Sequence, residues 1–276
     1  MTLNELELRQ AKLSRSYFER VMLVEADLSD ADLTGAELNS VDLGGALLSG
    51  SDFTGARLHQ VDFLSSYLHA ACFIEATIDS GSFHHSRLEK AAFQSAVVTH
   101  TDLVGADLTA VLFHDARLGA CDFSGARLDA AQLARVRAAQ CRFLGAAGRD
   151  VNFSSGRLNH CDLSGAEFYN AKFTNAFLES TRLVNADLSG ADFRGACLSG
   201  CPCNQAVLRY TQMAGANLLG ADFCGADLTD ARDLTAQQLQ QARTDRSTIL
   251  PNGSRGPFIR FSGAEKPNPE SGRDWR

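Results

Sequence analysis

The sequence lacks both a stretch long enough to cross a membrane and an export signal. None of its apolar runs approaches the roughly 18 residues of a membrane-spanning helix. The first residues, MTLNELELRQAKLSR, do not show the basic and then apolar pattern of a secretory signal. These two absences predict a cytoplasmic protein that does not interact with a membrane.

Recognisable motifs for catalysis and metal binding are missing as well. No glycine-rich loop leads into a helix, as a phosphate-binding motif requires, and no pair of histidines has ligand spacing. The eight cysteines do not form the paired CxxC motifs of a zinc knuckle. We therefore predict reduced thiols, no metal, no cofactor and no enzymatic activity.

Charge is unevenly distributed along the chain. Residues 1–231 contain 28 acidic and 18 basic residues, a net charge of −10, whereas residues 232–276 contain 5 acidic and 8 basic residues, a net charge of +3. An acidic body repels the phosphates of nucleic acids and of anionic lipids. We therefore expect no direct binding of nucleic acid.

A strict period of five residues is the main feature of the sequence. It is visible in Ala26-Asp27-Leu28 and again in Ala31-Asp32-Leu33. Every fifth residue from Leu8 to Leu228 gives (228 − 8)/5 + 1 = 45 positions, called centres below. All centres are Leu or Phe except Ile78, Val98, Ala138, Gly148, Cys203 and Met213. A step of five scatters residues by about 140° around an α-helix and changes faces on a strand, so neither element could bury the centres.

A longer period of twenty residues is superposed on the period of five. The residue two before each centre is small, and one column of this position at steps of twenty includes Cys121, Cys141, Cys161 and Cys201. Of the 14 phenylalanines at centres, 12 leave a remainder of 3 or 13 on division by twenty, with Phe18 and Phe168 as exceptions. Four units thus form one coil. The fold class is predicted to be an all-β solenoid, a four-sided parallel β-helix of about eleven coils stacked about 4.8 Å apart.

This pattern resembles the pentapeptide-repeat family over residues 3–231. The resemblance implies a right-handed quadrilateral β-helix and, for many bacterial members, a non-catalytic scaffold that binds a protein partner. One branch of the family consists of acidic rods that mimic B-DNA. Members of this branch bind type II topoisomerases, DNA gyrase and topoisomerase IV, and protect them against quinolones or natural gyrase poisons. A protein-binding scaffold with an unknown partner and a DNA mimic are therefore the two functions to compare.

The residue just before each centre points outward, and sorting these residues by side reveals charged columns. One side carries an acidic column of candidate partner-binding residues: Asp42, Asp62, Asp102, Asp122, Asp162 and Asp222. Arg142 and Arg182 interrupt this column. Another side carries an arginine column: Arg57, Arg117, Arg137 and Arg157. The aspartates favour the DNA-mimic hypothesis and the arginines oppose it, while the alternative is that the aspartates belong to the repeat consensus and only solvate the surface.

The frame of five ends after residue 231, which defines the predicted domains. Residues 1–231 form the β-helix, residues 232–250 a capping helix and turn, and residues 251–276 a partly disordered tail with a solvated Trp275. The helix is predicted over residues 234–243, with Thr235 as N-cap and Gln238 completing a capping box. The candidate tail contacts are Phe258, Ile259 and Phe261, which either fold back onto the rod or bind a partner. Because DNA-mimicking members pair through their carboxyl ends, the resemblance also implies a possible homodimer through this end.

Two irregularities interrupt the pattern. Ala138 and Gly148 replace large centres only ten residues apart, which predicts a bend or a cavity. Pro202, between two cysteines, removes a backbone donor and predicts a small bulge.

Overall fold

The computed structural model describes residues 2–268, and over the repeat region it is a parallel β-solenoid. Residues twenty apart are bridge partners, as in Glu7 with Asp27 and Gln212 with Arg232. The same step of twenty occurs on four sides, because each five-residue unit consists of a short extended segment and a corner. The predicted fold class is confirmed.

In the part of the chain that the structure describes, nine three-residue strands mark the most regular sides of the solenoid. Strands β1 to β7 form one parallel sheet in chain order: Tyr17–Glu19, Glu37–Asn39, Arg57–His59, Thr77–Asp79, Val97–Thr99, Arg117–Gly119 and Arg137–Ala139. Strands β8 and β9, Ala147–Arg149 and Glu167–Tyr169, form a second sheet on another side. The regular structure amounts to about eight turns, against the eleven coils predicted from the repeat count. The numbers differ because elsewhere the ladder consists of single-residue bridges, still in the register of twenty.

The centres and the small residues two positions before them fill the interior. Phenylalanine rings stack on every second side: Phe53 lies 4.8 Å from Phe73, and Phe63 lies 4.6 Å from Phe83, measured between ring centroids. The two stacks meet edge to face, with 6.1 Å between Phe53 and Phe63. The predicted arrangement of phenylalanines on alternate sides is confirmed, and their contacts stabilise the core beyond simple burial.

The corners depend on the fifth residue of each unit, which has a left-handed backbone conformation. Gly35, Gly55 and Gly125 have φ of 64°, 66° and 65° at this position. Glycine adopts this conformation without strain, whereas residues with a Cβ adopt it at a cost. Asn and Asp, which tolerate it better, also recur here, while residues such as Glu25 and Ala110 adopt it at other corners, so glycine is favoured at the fifth position but not required.

Of the bend or cavity predicted near Ala138 and Gly148, the cavity at Gly148 is wrong, and the bend stays a prediction. A Cβ atom added to Gly148 would lie 2.8 Å from the backbone carbon of Leu128, so no space is left for a side chain. The next residue in this column is Phe168, the bridge partner of Gly148, whose ring reaches the stacks at 5.8 Å from Phe153. A small centre is thus compensated by a large one in the next coil, which also explains why Phe168 departs from the usual two sides.

The prediction of a bulge at Pro202 is wrong as well. The carbonyl of Pro202 accepts a hydrogen bond of 2.8 Å from the N–H of Leu183, and Pro202 bridges Asp222 in the register of twenty. Proline cannot donate to the preceding coil, but it does not shift the frame. Pro202 therefore removes one backbone hydrogen bond from the ladder, but no residue is inserted into the repeat.

A short helix, α1 at Ala236–Gln241, follows the last repeat. The predicted capping box is confirmed: Thr235 accepts from the N–H of Gln238, and the Gln238 side chain accepts from the N–H of Thr235. The buried Gln238 amide also donates to the carbonyls of Met213 and Ala216, both at 2.9 Å. The helix thereby satisfies backbone acceptors that the end of a solenoid would otherwise leave unpaired.

The chain after α1 continues to cover the last coil. Arg243 and Ile249 bridge Asp222 and Asp227, and Leu250 is buried. Trp275 and the rest of residues 269–276 lie outside the described residues. Over residues 2–268, none of the helical structure has the length and apolar character needed to span a membrane.

Candidate protein-binding site

The ladder brings the predicted acidic column together on one side of the solenoid. Asp42 bridges Asp62, and Asp102 bridges Asp122. Ser82 separates these two pairs, and Arg142, Arg182 and Pro202 separate the remaining members, Asp162 and Asp222. The six aspartates therefore share a side, as predicted, but only the two pairs place carboxylates on neighbouring coils.

Every aspartate of the acidic column has a local structural role. In each one, Oδ1 accepts a hydrogen bond of 2.8–3.1 Å from the backbone N–H two residues later. The donors are Gly44, Leu64, Val104, Ser124, Ser164 and Cys224. Asp27, Asp32 and Asp192, on the other sides, make the same contact. The aspartates thus stabilise the corners wherever they occur, in the manner of an Asx-turn.

The second carboxylate oxygen distinguishes one part of the column from another. Oδ2 of Asp122 lies 3.4 Å from Arg142, and Oδ2 of Asp162 lies 3.3 Å from Arg182. Oδ2 of Asp222 lies 3.4 Å from Arg243. In this half of the rod, arginines neutralise most of the negative charge that the column carries.

The pKa of Asp222 reflects these neighbours. Burial by itself would raise the pKa of this carboxyl. Hydrogen bonds from Cys224 and Asn204, together with the charge of Arg243, outweigh that effect and lower the pKa. Asp222 therefore remains ionised, but its charge is compensated within the protein.

The amino-terminal half of the column is different. Asp102 lies 3.2 Å from the Nδ1 atom of His84, whereas Asp42 and Asp62 form no ion pair with any residue in the range 2–268. Asp42 and Asp62 line an open groove of about 350 Å³ together with Val24, Glu25 and Leu64. Within the described chain, Asp42 and Asp62 are therefore the members of the column with no compensating positive charge.

Large apolar side chains lie on the side of these two carboxylates and on the adjacent side. Met22 is the bridge partner of Asp42, and Leu47 and Tyr67 are bridge partners of each other on the adjacent side. Leu64 lies at the corner between the two sides, and the four side chains are 41–43% exposed. We call this surface the acidic–apolar patch: Met22, Asp42, Leu47, Asp62, Leu64 and Tyr67.

The apolar part of the patch could have been found from the sequence. In the frame of five, Met22, Leu47 and Tyr67 occupy the outward position just before a centre, which is usually polar. Because they are uncharged, they belong to neither the acidic nor the arginine column. Exposed apolar side chains grouped beside unpaired charges are typical of a surface that binds another protein.

The tail residues divide into two kinds. Phe258 packs against the core, and its backbone N–H donates to Oγ1 of Thr244 at 2.8 Å. Ile259 and Phe261 point away from the core, 67% and 88% exposed, with the Arg260 guanidinium 4.8 Å from the centre of the Phe261 ring. The segment folds back through Phe258 but leaves the other two side chains accessible.

Three of the interior thiols are held in the protonated form. Cys121, Cys161 and Cys201 are buried. The neighbouring Cys141 thiol together with burial raises the pKa of Cys121 and of Cys161, and burial raises the pKa of Cys201 to about 12. These cysteines act as small apolar residues. Over residues 2–268, no three His, Cys, Asp or Glu side chains are grouped closely enough to hold a metal ion.

Several solved structures share the repeat architecture. HetL of the cyanobacterium Nostoc sp. strain PCC 7120, involved in heterocyst differentiation regulation, is 25% identical over 88% of this chain and 94% of its own, with a TM-score of 0.30. QnrB1, a plasmid-mediated fluoroquinolone resistance protein, is 21% identical over 68% of this chain and 91% of its own, with a TM-score of 0.40. A protein of the Arabidopsis thaliana thylakoid lumen is 29% identical over 43% of this chain and 68% of its own, with a TM-score of 0.28. With TM-scores below 0.5, none of these likenesses bears on function.

Sequence comparison establishes the family. No curated protein sequence matches the chain. A family model described as pentapeptide repeats matches eight copies within residues 3–39, 42–79, 86–125, 126–165, 166–201 and 203–232. These ranges cover nearly the whole solenoid, and no catalytic family is indicated. The chain belongs to the pentapeptide-repeat family.

Proposed function

We propose that this protein is a non-catalytic scaffold that binds a partner protein through the acidic–apolar patch. The observation that supports this function is the occurrence of four half-exposed apolar side chains on the side of Asp42 and Asp62 and on the side next to it. Within residues 2–268, these are the two carboxylates of the column without an ion pair. Apolar side chains supply most of the energy of a protein interface, and unpaired charges supply its specificity.

The charge of the patch defines the partner. Asp42, Asp62 and Glu25 together favour a segment that carries Lys or Arg beside apolar residues. Nucleic acids and anionic lipids lack such complementarity, and the net charge of −10 over residues 1–231 repels both. We therefore propose a protein partner with a basic, partly apolar binding segment, met in the cytoplasm.

Site-specific photo-crosslinking tests this function. A photo-crosslinking amino acid is placed at position 64 and, as the matched control, at position 144. Leu144 occupies the same corner eighty residues later, is 37% exposed, and follows Arg142 instead of an aspartate by two residues. We expect one dominant partner to crosslink at position 64 and not at position 144.

The affinity of the purified partner for variants of the patch then tests whether the patch is the binding site. Leu64→Ser combined with Tyr67→Ser should weaken binding at least about tenfold, whereas Leu144→Ser should leave it unchanged. Addition of salt should weaken binding to the unmodified protein, because Asp42 and Asp62 contribute charge. Equal crosslinking at both positions, or an affinity that Leu64→Ser and Tyr67→Ser leave unchanged, would contradict the proposal.

A DNA mimic that acts on DNA gyrase or topoisomerase IV is the second candidate function. The direct pairing of Asp42 with Asp62 and of Asp102 with Asp122 favours it, because it places carboxylates on neighbouring coils. The three arginines that neutralise Asp122, Asp162 and Asp222 oppose it, since a mimic of the DNA backbone needs continuous negative charge.

A gyrase supercoiling assay, with and without a quinolone, separates the two candidates. The purified protein is titrated beside a variant with Asn at positions 62, 102, 122 and 162. The scaffold function predicts no effect on gyrase even in large excess. Inhibition or drug protection that the variant loses would favour the DNA mimic instead.

A further inference from the structure

Three arginines occupy consecutive coils on the side of the rod that carries β1 to β7. Arg117 pairs with Arg137 in the register of strands β6 and β7, and Arg137 bridges Arg157. Neighbouring coils of a parallel ladder lie about 4.8 Å apart, so the three guanidinium groups form a short row. Together with Asp115, Arg135 and Ser155 on the adjoining corner, they line an open cleft of about 340 Å³, called the arginine cleft below.

The charges within the arginine cleft do not balance. Asp115, the one carboxylate among the described residues that line it, accepts two hydrogen bonds from Arg135, at 2.8 and 2.7 Å. The Arg157 guanidinium lies 5.1 Å from the centre of the Phe177 ring. Among residues 2–268, Arg117 and Arg137 have no hydrogen-bonded or ion-paired partner for their side chains. Four guanidinium groups against one carboxylate leave three uncompensated positive charges.

This row differs from other arginines in the same kind of position. Arg57, on the same side, has an acid twenty residues earlier and lies 3.0 Å from Glu37. Arg142 and Arg182 likewise have an acid twenty residues earlier, on the side of the acidic column. Like charges directly opposite each other on a ladder are destabilising, so the arginine row costs stability in the isolated protein.

The geometry points to a binding site for a compact oligophosphate in the arginine cleft. Guanidinium groups bind phosphate oxygens through paired, charge-assisted hydrogen bonds, and they do so better than ammonium groups. Ser155 adds a hydroxyl at the edge of the cleft. Gly119 and Ala139, bridge partners two residues after Arg117 and Arg137, present no large side chain that would compete with a ligand.

The limits of the row define the size of the ligand. In the same column, Val97 precedes Arg117 and Phe177 follows Arg157, so apolar residues close the row at both ends. A nucleic-acid strand running along the rod would meet these apolar residues after two steps. A ligand with two or three linked phosphates, free or as part of a nucleotide, fits the length of the row. This site is independent of the acidic–apolar patch.

Calorimetric titration of the full chain tests the site with defined probes. The probes are orthophosphate, pyrophosphate, tripolyphosphate and adenosine triphosphate. We expect affinity to rise with the number of linked phosphates and one tripolyphosphate to bind per chain. Equal affinities for tripolyphosphate and the nucleotide would identify the free oligophosphate chain as the recognised group, and tighter nucleotide binding would identify a nucleotide.

Two variants of equal net charge show whether the arginine cleft is the site that binds tripolyphosphate. Arg117→Gln with Arg137→Gln should weaken tripolyphosphate binding at least about tenfold, because two guanidinium contacts are lost. Arg142→Gln with Arg182→Gln, in which the removed arginines already have aspartate partners, should bind as the unmodified protein does. Similar weakening in both variants would mean that overall charge attracts the anion, and the site would be rejected.

Thermal unfolding distinguishes a binding role from a structural one. Without ligand, the Arg117→Gln, Arg137→Gln variant should be at least as stable as the unmodified protein, because repulsion is relieved. Tripolyphosphate should raise Tm in the unmodified protein and not in this variant. A variant that is less stable but binds tripolyphosphate normally would overturn the proposal. So would tighter binding of a single-stranded oligonucleotide than of tripolyphosphate at equal phosphate concentration.

Discussion

Residues 42–67 and residues 122–147 lie eighty residues apart in the same register, so their backbones are equivalent. Asp42 corresponds to Asp122 and Leu64 to Leu144. Three other pairs of equivalent residues differ in charge or size: Asp62 corresponds to Arg142, Leu47 to Arg127, and Tyr67 to Ala147. The first stretch combines unpaired carboxylates with apolar side chains. In the second, Arg127 pairs with Asp107 and Asp129, and Arg142 pairs with Asp122.

The difference shows how a regular solenoid can carry a local function. Inward positions are fixed by the need to fill the core, whereas outward positions between corners are free to vary from coil to coil. The same two sides of the rod can therefore carry charges paired within the protein in one stretch, and unpaired carboxylates beside apolar side chains in the other. The comparison can be tested first in the core, where the two stretches should be alike, and then on the surface, where they should differ.

The largest effect is expected from removing the ring beneath each stretch. Phe63 lies 4.6 Å from Phe83, and Phe143 lies 4.7 Å from Phe123. Phe63→Ala and Phe143→Ala should each lower the free energy of unfolding by about 3–5 kcal/mol, since both remove a fully buried ring. Urea unfolding followed by circular dichroism measures the loss. A cost below about 1 kcal/mol for only one of them would show that the two cores are not equivalent.

A transplant of the patch should change binding rather than stability. Arg127→Leu, Arg142→Asp and Ala147→Tyr reproduce the side chains of Leu47, Asp62 and Tyr67 around Leu144. We expect the crosslink to the partner to appear at position 144 and the affinity of that second site to be within about tenfold of the first. Arg142→Asp alone, which changes the charge without the apolar groups, is the control and should not create the site. No crosslink in the triple variant would mean that the patch needs more of the rod.

Much of the fold could be predicted because the period of five determines which residues point inward. Leu8 to Leu228 could be assigned to the interior from spacing alone, and Thr235 with Gln238 gave a recognisable capping box. The compensation of Gly148 by Phe168 could not be predicted in the same way. It depends on the contact between two neighbouring coils, and a change in the size of one centre is equally compatible with a cavity.

The role of the aspartates was harder to predict than their position. The period of twenty correctly places Asp42 and Asp162 on one side of the solenoid. The hydrogen bonds that their Oδ1 atoms accept from the backbone N–H two residues later depend on the corner geometry. The sequence does contain an indication of this role. Aspartate also occupies this position on the other sides, as in Asp27 and Asp32, which indicates a structural role. The glycines at multiples of five, such as Gly105, likewise indicate the left-handed corner residue.

A smaller effect is expected from neutralising equivalent carboxylates. Asn retains the oxygen that accepts the backbone N–H, so the substitution removes only the charge. Asp122→Asn loses the contact with Arg142 and should cost up to about 1 kcal/mol at low ionic strength, and less at high ionic strength. Asp62→Asn loses no ion pair and relieves repulsion from Asp42, so stability should be unchanged or slightly higher. Urea unfolding at two salt concentrations measures both, and an equal loss in the two variants would remove the distinction between paired and unpaired carboxylates.

The smallest effect on the fold is expected at the two most exposed apolar side chains of the tail, Ile259 and Phe261. Ile259→Ser with Phe261→Ser should change the free energy of unfolding by no more than about 0.5 kcal/mol, because neither side chain packs on the core. Phe258→Ser should cost more, since Phe258 does pack there. The homodimer through the carboxyl end stays a prediction that the same variants test by light scattering. A dimer held by these residues would fall to the 29.7 kDa of one chain in the double variant, with Tm for the rod unchanged. A mass of one chain in the unmodified protein as well would exclude the dimer.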